Sequence, residues 1–154
     1  MAPHEHDLVL KRVLDAPPEK VWRAWTDPEI LPSWFSPKPW TITQCKLDVR
    51  PGGVSSFTMR GPDGTDYPNV GLYLEVVPNR RLVTTDAYGP DWTPSAKPFF
   101  TAVIDFEDLG DGRTAYTATA RHWTAENRKA HEEMGFHEGW GQVADQLAER
   151  LKTL

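Results

Sequence analysis

The C-terminal stretch, residues 124–154, constrains this chain more than any other part of it. Phe136, Trp140, Val143, Leu147 and Leu151 recur at steps of four, three, four and four, which stacks them on one face of a helix. Glu138, Gln142, Asp145, Glu149, Arg150 and Lys152 fall largely on the other side, so the helix is amphipathic rather than buried all round. Thr124 suits its N-cap, because a hydroxyl there can satisfy a free N–H of the first turn. Gly135, Gly139 and Gly141 interrupt the pattern, each costing about 1 kcal/mol relative to alanine in a helix interior. The spacing therefore predicts a weak or broken segment over 124–134 and a firm helix from about Phe136. Such a helix needs an apolar surface to lie on.

The upstream chain reads as that surface. Residues 8–14 are β-compatible, and Pro17 and Pro18 then end the strand and open a helix over 19–26, with Val21, Trp22 and Trp25 on one face. Asp27-Pro28-Glu29 predicts a second short helix over 28–35: an N-cap, a proline at the first helical position and an acid near the positive end. From Trp40 to Arg121 the pattern is strand and turn. Strands are expected over 40–49, 54–60, 67–77, 81–88, 99–107 and 114–122, punctuated by Gly-, Pro- and Asp-rich turns. Short connections imply an antiparallel meander, because parallel crossovers need a dozen or more residues. The expected fold class is α+β, in the order β-α-α-β6-α, with the sheet curled around the last helix.

Composition narrows the function. A chain of 154 residues holds one domain with a real core, here 1–154 with a flexible terminus over 1–7. A net charge of −5 argues against nucleic acid, whose phosphates call for basic residues. The single cysteine, Cys45, excludes an internal disulfide and a multi-cysteine zinc site. The polar N-terminus carries no signal region, and no apolar run approaches the roughly 20 residues of a membrane span. A cytoplasmic, soluble protein is expected.

Several stretches together resemble a known family. They are Pro18-Glu-Lys-Val-Trp-Arg-Ala-Trp-Thr-Asp-Pro-Glu29, Trp34-Phe35, Asp48-Val-Arg-Pro-Gly-Gly53 and Gly61-Pro-Asp-Gly64. Gly71-Leu-Tyr-Leu-Glu-Val-Val-Pro78 with Arg81-Leu82, and Gly139-Trp140 ahead of the apolar helix, continue the match over roughly 8–151. The pattern is similar to the activator of heat-shock-protein-90 ATPase homologue family. The resemblance implies the helix-grip fold of the START-like, or SRPBCC, superfamily: a curved antiparallel sheet around a C-terminal helix, with a cavity between them often used for hydrophobic ligands. It also implies a chaperone as a candidate partner, by family analogy.

Most reactive constellations fail on spacing. His131-Glu132-Glu133-Met134-Gly135 starts like H-E-x-x-H but has glycine where the second histidine belongs. His137, six residues after His131, points to another helical face, so solvated histidines are expected and no metal site. His4 and His6 lie on the terminus, where they could hold a metal adventitiously. Gly53-Val-Ser55-Ser-Phe57 misses the nucleophile elbow at its last position, and Cys45 reads as a small core residue. No catalytic residue and no cofactor is assigned. Asp48 and Arg50 share a face, as do Glu75, Gly71 and Tyr73. His122, in phase with Tyr116, Ala118 and Ala120, ends the last strand: an imidazole at a cavity mouth, or a cap on the strand-to-helix corner.

The aromatic excess is the main functional signal. Trp34, Phe35, Trp40, Phe57, Met59, Tyr73, Tyr88, Trp92, Phe100, Phe136 and Trp140, with His122, form the candidate ligand-binding set. The expected partner is a small hydrophobic or aromatic ligand held between sheet and helix. The alternatives are a cavity-based enzyme of cyclase, dehydratase or hydrolase type, motivated by His122, and a stress- or chaperone-linked partner-binding domain. The glycines at 135–141 suggest that the start of the helix moves as a lid.

Overall fold

The computed structural model describes residues 4–154. Of the expected flexible terminus, 1–3 lie outside the described residues, while Asp7 already opens the first strand and is buried. Seven strands form one antiparallel sheet: β1 (Asp7–Leu14), β2 (Thr41–Leu47), β3 (Val54–Arg60), β4 (Asp66–Val77), β5 (Arg81–Thr85), β8 (Phe100–Asp108) and β9 (Thr114–His122). Their order is β1-β9-β8-β5-β4-β3-β2, a meander whose first strand closes beside the last. Two-residue strands β6 (Tyr88–Gly89) and β7 (Thr93–Pro94) form a separate hairpin within the β5–β8 connection. The strand expected over 81–88 thus ends at Thr85, and its last residue, Tyr88, belongs to the hairpin.

Side-chain alternation decides which face holds the core. On β9, Tyr116, Ala118, Ala120 and His122 point inward, and on β8 they meet Phe106, Ile104, Ala102 and Phe100. Over this face lie α1 (Pro18–Thr26), with Val21, Ala24 and Trp25 buried, and α3 (Phe136–Leu151), with Phe136, Ala144, Leu147 and Leu151 buried. Each such leucine contributes about 1.5–3 kcal/mol through removal from water. Gln146 of α3 adds a polar clamp: its amide donates to the carbonyls of Trp34 (2.9 Å) and Ser36 (2.8 Å).

The C-terminal stretch is broken, as the glycines implied. Thr124 Oγ1 accepts from the Asn127 N–H, capping α2 (Ala125–Glu133), and α3 starts after Gly135, whose φ of 92° is open to glycine. Gly139 and Gly141 stay helical, Gly141 being buried beside Arg12, so only Gly135 acts as a breaker.

Two expectations need correction. The helix expected over 28–35 is only a 3-10 turn, Leu31–Ser33. Pro32 has no N–H to give an α-helical bond, and the Asp27 carboxylate bonds the Glu29 N–H as in a turn. Glu75 also does not share a face with Tyr73. The register shifts between Tyr73 and Glu75, so Tyr73 is buried while Glu75 is turned out and Val76 takes the inward place.

Candidate functional site

The inner face of the sheet carries two aromatic clusters. The first lies where α1 and the 3-10 turn cross the sheet. Trp25, Trp34 and Phe35 meet one another edge to face at 5.2–5.4 Å, and Phe35 meets Phe57 of β3 at 5.1 Å. Trp34 is buried, with its indole N–H donating to the Ala24 carbonyl (3.1 Å). Beside these rings is a cavity of about 40 Å³ lined by Trp25, Leu31, Phe35, Leu47, Ser55, Phe57, Tyr73, Leu82 and Thr84. Its wall is apolar apart from the hydroxyls of Ser55, Thr84 and Tyr73. Burial pushes the Tyr73 phenol up to about 12, with the Ser55 side chain as a hydrogen-bond neighbour, so it is a neutral group at physiological pH.

This cavity is not sealed by large amounts of structure. Phe35, Phe57 and Leu47 are half-buried, and so are Ile42, Cys45 and Met59, which extend the same inward face toward the far end of β2 and β3. Burial pushes the Cys45 thiol up to about 11, which keeps it protonated and unreactive.

The second cluster sits at the corner between β9 and α2. His122 and His131 are both buried, and Nε2 of His122 lies 2.9 Å from Nδ1 of His131. Nδ1 of His122 is 2.8 Å from the carbonyl oxygen of His6, which also accepts the His122 backbone N–H at 3.2 Å. Phe99, Phe100, Phe136 and Trp140 surround His131, with ring centroids 4.8–6.0 Å from it. Burial, and then the neighbouring His122, hold the His131 imidazole well below the usual range, down to about 4. His131 is thus a buried structural group, not the solvated residue expected. His137 does point elsewhere, contacting Glu132 on the surface (3.3 Å).

Polar side chains frame this corner. The Asp7 carboxylate accepts from Arg121 at 2.9 and 3.0 Å, and Arg128 Nε donates to the Asp7 carbonyl (3.1 Å). Burial alone would raise Asp7, but the Arg121 guanidinium and the His4 N–H outweigh it and hold the carboxyl below its ordinary value. The Asp86 carboxylate accepts the Phe99 N–H, and burial pushes it up against the bonds from Phe99 and Phe100.

The candidate set therefore divides. Phe35, Phe57 and Tyr73 line the cavity and Trp34 backs it; Phe100, His122, Phe136 and Trp140 belong to the histidine corner. Met59 lies on the inward face beyond the cavity lining, and Trp40 packs on Tyr67 at 5.5 Å toward the tip of the sheet. Tyr88 and Trp92 are misplaced in that set. They pair at 5.8 Å on the exposed β6–β7 hairpin, with Trp92 over Gly52 and Gly89 over Val70. Sequence parity is lost for Tyr88 where β5 ends at Thr85, and for Trp92 in the turn at Pro90–Trp92, where Asp91 and Trp92 have positive φ. His131, Asp86 and Gln146 are additions; the three-residue step from Arg128 to His131, which puts both on the inner side of α2, was a readable signal. Among the described residues no group of His, Cys, Asp and Glu could hold a metal ion.

Residues 15–152 match the family model described as activator of Hsp90 ATPase homolog 1-like protein. The chain belongs to that family. A solved protein from Nitrosomonas europaea is 47% identical, with a TM-score of 0.94 over 98% of this chain and 97% of its own. A protein from Mycobacterium smegmatis is 27% identical, with a TM-score of 0.78 over 93% and 88%. An AHSA1-like protein from Aeromonas hydrophila, 20% identical over 96% and 92%, shares the fold at a TM-score of 0.72. No curated protein matches the chain. The α+β helix-grip architecture of the START-like superfamily is thus the one this family member adopts, and among the described residues no helix is long and apolar enough to cross a membrane.

Proposed function

We propose that this family member binds a small hydrophobic or aromatic molecule at the cavity between β3–β5 and the α1 corner. The observation that carries the reading is an apolar void with an unsealed wall: Phe35 and Phe57 are half-buried, and Ser55, Thr84 and Tyr73 supply hydroxyls to orient a ligand. At about 40 Å³ the void holds little more than water, against roughly 300–1,000 Å³ for a drug-sized ligand. Binding therefore requires Phe35 and Phe57 to swing outward, which their exposure allows without opening the rest of the core. The test is a nitrogen-15 NMR titration with a panel of phenols, indoles and medium-chain fatty acids. Saturable shifts at Phe57, Tyr73 and Thr84 are expected; a panel that moves none of them would overturn the reading.

A partner-binding role is a second reading, favoured by one observation: Tyr88 and Trp92 expose apolar surface on the outer hairpin. The family description makes a chaperone ATPase the partner to try. An ATPase rate unchanged by this protein would count against it.

A further inference from the structure

The proton inventory of the histidine corner follows from its geometry. The His6 carbonyl can only accept, so Nδ1 of His122 must carry a hydrogen. In the neutral ring Nε2 of His122 is then an acceptor, and Nδ1 of His131 must donate to it. That leaves Nε2 of His131 with a free lone pair. Among the described residues it has no hydrogen-bond partner. Water can reach it.

His131 is also the one residue of α2 that is buried. Apart from the Arg128 bond to the Asp7 carbonyl, the His131–His122 bond and the packing of its ring hold α2 on the corner. Met134 caps α2 and Gly135 follows, with nothing near the position its Cβ would occupy. The helix is lightly tethered and hinged.

We propose that α2 is an acid-released flap, in which a proton taken up at Nε2 of His131 frees the helix from the aromatic corner, with Gly135 as the hinge. Protonation places a cation among Phe99, Phe100, Phe136 and Trp140. The charged and titratable groups facing it offer no relief. From β1, Asp7 is committed to Arg121 and the His4 N–H; from the β5–β8 connection, Asp86 is committed to the Phe99 N–H. From β9 comes Arg121, and from α2 itself Arg128, which add positive rather than negative charge, and the neutral His122 ring brings no negative charge. Glu132 and His137, at the α2–α3 join, contact each other on the surface. Ring quadrupoles return part of the cost. A proton on Nε2 of His122 would set N–H against N–H and remove the bond altogether.

The sign follows from His131 holding its proton less well folded than unfolded: closure is favoured above the ordinary histidine value of 6.5 and lost as the pH falls toward about 4. Between pH 7.5 and 5.0 the closed-to-open equilibrium should shift by about 30-fold toward open. Opening would uncover Phe99, Phe100, Phe136 and Trp140. The inference does not depend on the proposed ligand, and its test uses none.

Amide hydrogen exchange of the full chain, corrected for the intrinsic pH dependence of exchange, reads the opening directly. The expected result is an opening equilibrium of Arg128–Glu133 about 30-fold larger at pH 5.0 than at 7.5, with Ala144 and Leu147 of α3 unchanged. In H131Q, which keeps an N–H donor but cannot titrate, the difference should vanish. Equal opening at both pH values, a parallel rise in α3, or an undiminished acid response in H131Q would each overturn the proposal. Should H131Q fail to fold, histidine-ring nitrogen-15 spectra of the unaltered protein decide: a proton on Nδ1 and titration below pH 5 support it, and titration near 6.5 overturns it.

Discussion

The cluster around Trp25, Trp34 and Phe35 and the cluster around His122 and His131 use the same ring chemistry to different ends. In the first, rings meet rings edge to face, no charged group intervenes, and the packing leaves a void. In the second, two imidazoles replace two of the rings, and a chain of bonds from the His6 carbonyl through His122 to His131 ties three elements together. An apolar cluster can yield by rotating a half-buried phenylalanine, because no bond is lost when it moves. A cluster built on hydrogen bonds holds one geometry until its proton count changes. The difference teaches where this fold is suited to admit a molecule and where it is suited to respond to acid.

The sharpest way to break the contrast is to remove the ring that backs the void. Trp34→Ala should cost about 3–5 kcal/mol of stability, read by denaturant unfolding, since it opens a large cavity and orphans the Ala24 carbonyl. A loss under about 1 kcal/mol would show that the first cluster is already loosely packed. Filling the void tests it from the other side. Thr84→Ile adds about one methylene to the lining and should weaken ligand binding about tenfold by NMR titration, with stability changed by less than about 1 kcal/mol.

Smaller effects probe the histidine corner. Gly135→Ala should cost about 1–2 kcal/mol, because a residue with a Cβ resists the φ of 92° that separates α2 from α3. The loss should appear in exchange of α2 before it appears in global unfolding. Asp86→Asn has the smallest expected effect, a gain of a few tenths of a kcal/mol at pH 7. Burial raises this carboxyl in the folded state, so the native chain holds its proton more tightly than the unfolded one and loses stability as the pH rises. The advantage of the asparagine should therefore shrink as the pH falls toward 4, and melting curves at pH 4 and 7 check the sign.

Much of the fold was legible because its signals are local. The step pattern from Phe136 to Leu151, the cap at Thr124 and the break at Gly135 depend on residues within a few positions of one another, and the structure reproduces each. The phase of β9, with Tyr116, Ala118, Ala120 and His122 inward, was readable for the same reason: nothing interrupts the alternation between 114 and 122. The readings that failed crossed an interruption. Pro32 cut the expected helix to a single 3-10 turn, the bulge between Tyr73 and Glu75 inverted a face, and the end of β5 at Thr85 and the turn at Pro90–Trp92 left Tyr88 and Trp92 on the outside.

The candidate site was legible only as a composition of rings. Which rings line the void, which close the corner and which lie in solvent depends on pairings between residues far apart in the chain, such as Phe35 with Phe57 and Phe100 with Trp140. The bond between His122 and His131 shows the boundary most clearly. Periodicity placed His122 on the inner face of its strand, since a strand's alternation is a property of its own backbone. That His131 stands opposite it, buried and neutral, was decided by the angle at which α2 leaves β9 and folds back over Phe99 and Phe100. A chain's local geometry sets the direction of each side chain, but only the packed structure sets what it meets, and burial and partnership are what fix its charge.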